Sequence, residues 1–426
     1  MAGELYAGLF KDVYSKDRVK QLVPQNTKLL NSLRHSEGEL QGNLFVEGVE
    51  LLGPGEAAYA EDADGAYTIP EAVNGTTAQA KIEGFSMLVP GILPWPDWLK
   101  AKGAGEAGNV KAFAAATVTL VRSLLHGHML RQEVKFLHGA RGIGTIDTGG
   151  IAGADATFRT LTIRPATFAP GVLIPMQGYR IEFRTSAGAL VGTAPADTKF
   201  VLGAASTADN TVVVTGTAQG ITDLVAAIGS GAVTMHPFGS FSKQGVSFIE
   251  MAAATSGVIN NISATTFANW RSNPLVVSGS LSIAAILKAN SQCVDRGWYG
   301  THRCFVAPRA FALLNEKAVN FRMYDSSYSQ TKADAGSETL CYVGPGGKVE
   351  IEAHPLMKAG EVLGLPMDDC KLLGASPLPS YEVPGHDGQY FMALEGKAGS
   401  RLVCHSHSAV FCSAPGHSFL LTGFTV

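Results

Sequence analysis

The sequence predicts an α+β fold, and three observations carry that expectation. One unbroken helical pattern runs between Asn109 and Gly139. Residues 150–245 hold strand patterns of period two between glycine-rich flanks, and from 250 onward helices and strands mix before the chain closes on strands. Helices and strands segregated along a chain in this way build an α+β architecture, whereas strict alternation would give a parallel sheet.

Residues 1–40 are polar and mixed in charge, and Pro24 interrupts any long helix there. Leu29, Leu30 and Leu33 form one short apolar cluster. So little apolar area cannot fold alone, and the stretch reads as an arm that packs on something else. Within 41–100, LFVEGVELL and AKIEGFSMLVPGIL read as strands. The connection between them is acidic and glycine-rich, with Glu56, Glu61, Asp62 and Asp64 close together. Connections of that length inside compact domains are uncommon and usually functional, so an extended hairpin that leaves the body is expected. The acidic run fits a cation site, a neighbour's basic groups or a solvated loop tip. Trp95 and Trp98, in PWPDW, fit a carbohydrate platform or, better, anchors of the hairpin base in the core.

In the long helix Asn109 is placed to cap the start, and Gly139 stands where a left-handed terminating residue is expected. Ala114, Val118, Val121, Leu125 and Met129 recur at three- and four-residue spacing, and Leu120 and Leu124 widen the stripe. Lys111, Thr119, Arg122, His126 and Glu133 fall on the other side and are expected to face water. So does His128, which lies two residues from His126 and cannot share its face. Such a helix spans about 45 Å, and Gly127 in its interior marks a weak point.

FRTLTIRP, YRIEFRT and NTVVVTG alternate cleanly, and the low charge around them makes 150–245 a small β-domain of its own. Beyond it LSIAAILKANSQCVDRG reads as a helix from Ser280 to Gly297, and HRCFVA as a strand. Pro308 opens the helix PRAFALLNEKA at a position where proline is tolerated. KVEIEAH and RLVCHSHSAVFC are further strands.

Hydrophobic residues make up 46% of the chain and charged residues 16%, against about 25% charged in an ordinary soluble domain. A surface so poor in charge fits one that other protein covers, with a weakly charged monomer as the alternative. The net charge of −3 gives no electrostatic footprint for sequence-specific nucleic-acid binding, although it does not oppose enclosing DNA. Phe85–Trp95 is broken by Pro90, Gly91 and Pro94 and is too short for a membrane span, and the start lacks an uninterrupted apolar core. A chain made and kept in a cytoplasm is expected. The six cysteines, Cys293, Cys304, Cys341, Cys370, Cys404 and Cys412, form no CxxC pair and read as small buried hydrophobes rather than a disulfide framework.

The chemical motifs of common enzymes are missing. Gly347-Lys348 is followed by Val349 and Gly396-Lys397 by Ala398, so neither completes a phosphate loop. The glycines of GARGIGTIDTGG follow a helix, where a dinucleotide fingerprint needs them after a strand. No GxSxG or HExxH occurs. Cys404, His405, His407, Cys412 and His417 carry zinc-type ligands at short spacing, but adjacent strand residues point to opposite faces, so no metal ligand is assigned. No catalytic or cofactor-binding residue is assigned either.

The order of parts resembles the tailed-phage capsid fold that is named after a Hong Kong phage. EVKFLHGARGIGTID is similar to the segment that ends the spine helix in such proteins. TSGVINNISATTFANWRSN resembles their entry into the second domain, ending at Trp270 and Arg271, and YGTHRCFVAPRAFALLNE resembles the strand-then-helix element that follows. The resemblance divides the chain into an arm (1–40), an extended hairpin loop (41–100), a spine-helix or peripheral domain (101–149), an inserted β-rich domain (150–245), an axial α/β domain (246–395) and C-terminal strands returning to the peripheral domain (396–426). It implies a major capsid protein that self-assembles as pentamers and hexamers into an icosahedral head around double-stranded DNA, held non-specifically. It further implies a scaffolding protein, a portal and a decoration protein as partners, and neither cofactor, membrane nor catalysis. Some relatives cross-link through a Lys and an Asn, and neither residue can be placed here. The short start leaves little room for a cleaved scaffolding segment, so a separate scaffold is expected. A tail or adhesion component, or a cytoplasmic α/β enzyme, are the alternatives.

Overall fold

The computed structural model describes residues 27–37, 39–41, 44–53, 74–94, 110–319 without 244, 339–374, 379–382, 389–394 and 399–425, with isolated positions between. They fall into two compact units. The first draws on 1–37, 84–136 and 372–409, the second on 38–83, 137–371 and 410–426.

The first unit is built on the expected long helix, Val110–His138, 29 residues. Val121, Leu124, Leu125 and Met129 are buried as their spacing predicts, and His126 is exposed. Two of the outward assignments are corrected. Glu133 and His128 are both completely buried. Glu133 accepts the backbone N–H of Leu29 at 3.0 Å, at the start of the short helix Lys28–Ser32. The side chains of Lys111, Thr119 and Arg122 lie outside the described residues, as does Asn109. A sheet packs on the helix. In it Gly399–Cys412 runs antiparallel to Phe85–Pro94 and to Phe391–Ala393, with Cys370–Gly374 and Arg34–Ser36 completing the order.

Among the described residues the second unit holds four sheets, the smallest being the antiparallel pair Val258–Ile259 and Ile262–Ser263. Leu44–Leu52 and Thr76–Glu83 form the hairpin, with Glu39–Gln41 alongside. The described strands are not free of the body. Lys81 N–H donates to Asn260 O at 2.9 Å, and Lys371 pairs with Glu47 at 3.3 Å. The run expected as one second strand is two: it breaks at Gly84, and Phe85–Pro94 leaves the hairpin for the sheet of the first unit. Alternation by itself does not reveal a change of partner. The acidic connection around Asp62, and Trp95 and Trp98, lie outside the described residues.

The second sheet is a closed antiparallel barrel, in the order Thr211–Thr215, Phe158–Ile163, Gly144–Ala152, Val233–Pro237, Arg180–Thr185 and Phe200–Ser206. It begins earlier and ends earlier than the 150–245 segment read from the sequence. It also holds a helix that reading missed, Ala218–Ser230, capped by Thr217, whose hydroxyl accepts from Gly220 N–H. The third sheet has six strands, ordered Asn273–Val276, Phe419–Thr422, Glu361–Pro366, His302–Val306, Gly347–Ala353 and Thr339–Gly344. Helices Ile283–Val294 and Pro308–Val319 accompany it, and Ile286, Leu314, Val306, Ile351 and Phe419 share its core. The first of these helices is capped by Ser282, two residues after the expected Ser280. Phe419–Thr422 closes this six-stranded sheet, so residues 410–426 belong to the second unit and only 399–409 to the first.

Candidate assembly surfaces

The five residues with ligand chemistry near the C-terminus are not brought together. Cys404 is buried, and His405 and His407 stand on the opposite side of the same strand. Cys412 lies against Cys370 in the second unit, where burial and then the neighbouring thiol push the Cys370 thiol up. His417 pairs with Asp369 at 3.0 Å. Among the described residues no group of three or more His, Cys, Asp and Glu is placed to hold a metal ion. Five of the six cysteines are buried free thiols. Burial pushes Cys293 and Cys404 up to about 12, which keeps them protonated and inert. Cys341 is the exception. It is exposed on the edge strand Thr339–Gly344, where its side chain alternates outward.

The inner face of the first unit is a polar seam between helix and sheet. His128 Nε2 meets Ser406 Oγ at 2.7 Å, Gln132 donates to Ser408 Oγ at 2.9 Å, and Lys135 donates to Ser408 O at 3.2 Å. Tyr381 closes the far end by donating its hydroxyl to Val121 O at 2.9 Å. Burial, with the charges of Arg131, Lys135 and His405, holds His128 down to about 3, and burial holds Lys135 down to about 8. These groups are used up in fixing the sheet to the helix.

On the outer face of that sheet the alternation inverts. Val89 and Gly91 point to the helix, while Leu88 and Ile92 stand 63% and 57% exposed. Leu88 lines, with Pro90, Val403 and Met392, an apolar groove of about 510 Å³, rimmed by His405, His407, Arg401 and Glu382. In the second unit large apolar groups stand exposed at both edges of the six-stranded sheet, Val276 on one and Val343 on the other, and Tyr299 projects from the turn before His302. The sequence reading singled out none of these. The signal was present at 85–94, because a strand apolar on both faces is one that expects cover on both.

No helix among the described residues is long and apolar enough to cross a membrane. No protein-family model matches the sequence, and no curated protein matches it. Solved structures do. The capsid asymmetric unit of cyanophage A-1(L) superposes with a TM-score of 0.51 at 10% identity, covering 94% of this chain and 93% of that one. Weaker likeness extends to the capsid of cyanophage P-SCSP1u, with a TM-score of 0.43, 8% identity and coverage of 92% and 86%. It extends also to Mycobacterium phage Cain, with a TM-score of 0.43, 9% identity and coverage of 97% and 98%. The long helix, hairpin, barrel and six-stranded sheet are thus carried on the fold of a phage capsid subunit.

Proposed function

We propose that the chain is the major capsid protein of a tailed bacteriophage, which self-assembles into the icosahedral head that encloses the viral DNA. The observation that carries this reading is the end-to-end likeness to the cyanophage A-1(L) capsid unit, 94% of one chain on 93% of the other. The outer groove of the first unit and the bare edges of the second unit's sheet are apolar surface that a monomer would leave wet. Each contact between copies joins two different patches, and heterologous contacts of this kind close into rings, here pentamers and hexamers. A separate scaffolding protein, a portal and a decoration protein complete the assembly in the host cytoplasm. DNA is enclosed without being read, consistent with the net charge of −3. No catalytic step is assigned. A tail or adhesion component would account for the barrel but not for the 29-residue helix and the capsid-type order around it.

The test is assembly. Expressed alone or with its scaffold, the protein should form closed shells, tubes or rings of megadalton mass, seen by electron microscopy and light scattering. A sharp monomer peak at high concentration with scaffold present would sink the reading.

A further inference from the structure

Cys370–Gly374 and Gly399–Cys412 are neighbouring strands, and the first begins where the second ends. Just outside that meeting point Ser413 N–H donates to Asp369 O at 2.9 Å, and the Ser413 hydroxyl donates to the same oxygen at 3.3 Å. A bond between those two flanking residues sets Cys412 directly across from Cys370, as a non-hydrogen-bonded antiparallel pair. At such a position the Cα atoms stand about 4.5 Å apart and both side chains leave on one face. That separation is at the short end of what a disulfide spans. Both thiols are buried, 0% and 1% exposed. Burial pushes the Cys370 thiol up, and Cys412 is near enough to push it further. Cys293 and Cys304 also lie in one core, but on a helix and a strand, without a facing register.

The pair also stands at a crossing point of the chain, which leaves the second unit after Lys371 and re-enters it at Val410. A bond between 370 and 412 closes residues 371–411 into a loop at its root. Closing a loop of that length removes much of the freedom of the unfolded chain while asking little of the folded one. We propose that Cys370 and Cys412 are an oxidation site, free thiols in a reducing compartment and an intrachain disulfide outside it, which clamps the two strands where they cross. The clamp does not depend on the shell reading.

The oxidant that suits a buried pair is a small one, a peroxide. One thiolate attacks a peroxide oxygen, the O–O bond breaks, and a sulfenic acid and hydroxide result. The second sulfur then attacks the sulfenic sulfur, the S–O bond breaks, and the departing hydroxide takes up the thiol proton as water. Two thiols and one hydrogen peroxide become one disulfide and two waters. Burial keeps both thiols neutral, so the reaction is slow and waits on opening of the strand ends, where both residues stand.

The test uses the full chain purified under dithiothreitol. Iodoacetamide on the folded protein caps the exposed Cys341, and both reagents are removed. Hydrogen peroxide is added, remaining thiols are blocked in urea, and a digest is read by mass spectrometry without reduction. The expected product joins a peptide holding Cys370 to one holding Cys412, while Cys293, Cys304 and Cys404 are recovered as blocked thiols. The joined protein should have a higher urea midpoint, and dithiothreitol should reverse the rise. Cys370→Ala and Cys412→Ala should each abolish the difference between oxidised and reduced melts, whereas Cys293→Ala should keep it. The peptide map needs no variant, so it decides the matter even where a variant fails to fold. The clamp is overturned if Cys370 and Cys412 stay unjoined under peroxide, join other cysteines, or join each other only in urea. It is overturned equally if the joined protein unfolds at no higher urea than the reduced one.

Discussion

His128 lies fully buried against Ser406, and its burial has a consequence for acid stability. Its imidazole titrates near 6.5 when unfolded and about 3 when folded, because burial and then Arg131, Lys135 and His405 oppose the charged form. A histidine whose folded value is depressed stabilises fully above the unfolded value, and that stability is lost as pH falls from about 6.5 toward about 3. Between pH 7 and pH 5 the loss from this one group is about 2 kcal/mol. His128→Gln keeps a polar contact to Ser406 without titrating. Urea melts at the two pH values should show the gap between them narrower by that amount, and an unchanged gap would show the imidazole wet. His236 and His302, both held down to about 4 by burial, and His138, held well below its ordinary value by burial, add to the acid sensitivity. Gly364 sets a second limit at this scale. It stands in the middle of Glu361–Pro366, where an added Cβ would overlap the ring of Phe419 on the neighbouring strand. A ring packed in a core cannot swing aside cheaply, so Gly364→Ala should cost roughly 1–3 kcal/mol and lower Tm accordingly. An unshifted Tm would mean the sheet spreads to admit it.

Among the elements, the long helix decides whether the first unit folds. Leu125, 1% exposed, sits between Val121 and Met129 in the buried stripe, and the next residue, His126, is open to water. Leu125→Asp would bury an unpaired carboxylate at a cost of several kcal/mol, comparable to a domain's whole stability. It should give insoluble protein and no particles, whereas His126→Ala should leave both solubility and assembly unchanged. Normal particles from the first variant and aggregation of the second would mean the helix has been assigned the wrong face. The stripe was legible because apolar spacing is a local property. Glu133 and His128 were not, because the periodic rule sends every polar residue to water. Nothing nearby in sequence announces the Leu29 N–H or the Ser406 hydroxyl, which lie 104 and 278 residues away. The same limit divides the strand elements. Phe158–Ile163, Arg180–Thr185 and Thr211–Thr215 were legible from alternation, while the break at Gly84 depends on a partner more than three hundred residues on. The helix Ala218–Ser230 could have been found: Thr217 caps it, and Ile221, Leu224 and Ile228 carry helical spacing.

At the scale of the molecule, recognition came from the order of parts, since at 10% identity to the cyanophage unit little else survives. That order did not show that the β-rich part closes on itself, because closure is set by register between strands and not by their pattern. A closed barrel has no edge to protect and carries its own core, so it should fold without the rest of the chain. Ile146, Leu161, Phe183, Phe200, Leu202, Val212, Val214, Val233 and Met235 are all completely buried, and Phe183 and Phe200 meet edge to face with centroids 5.0 Å apart. Against this stand a few ties to the remainder of its unit. Ala359 N–H donates to Phe168 O at 3.0 Å, Gly360 N–H to Ala166 O at 2.9 Å, and Arg309 donates to Thr207 O. All three fall on loops and short turns at the barrel ends, so excision wets Phe168 and its neighbours without opening a strand pair. Residues 143–240 expressed alone should therefore give a strand-rich far-UV spectrum and one cooperative melt. Phe200→Ala should remove roughly 3–5 kcal/mol and abolish that melt in the excised barrel. A featureless coil spectrum from the unaltered segment would show that the ties to 354–361 and Arg309, and not closure, hold the barrel together.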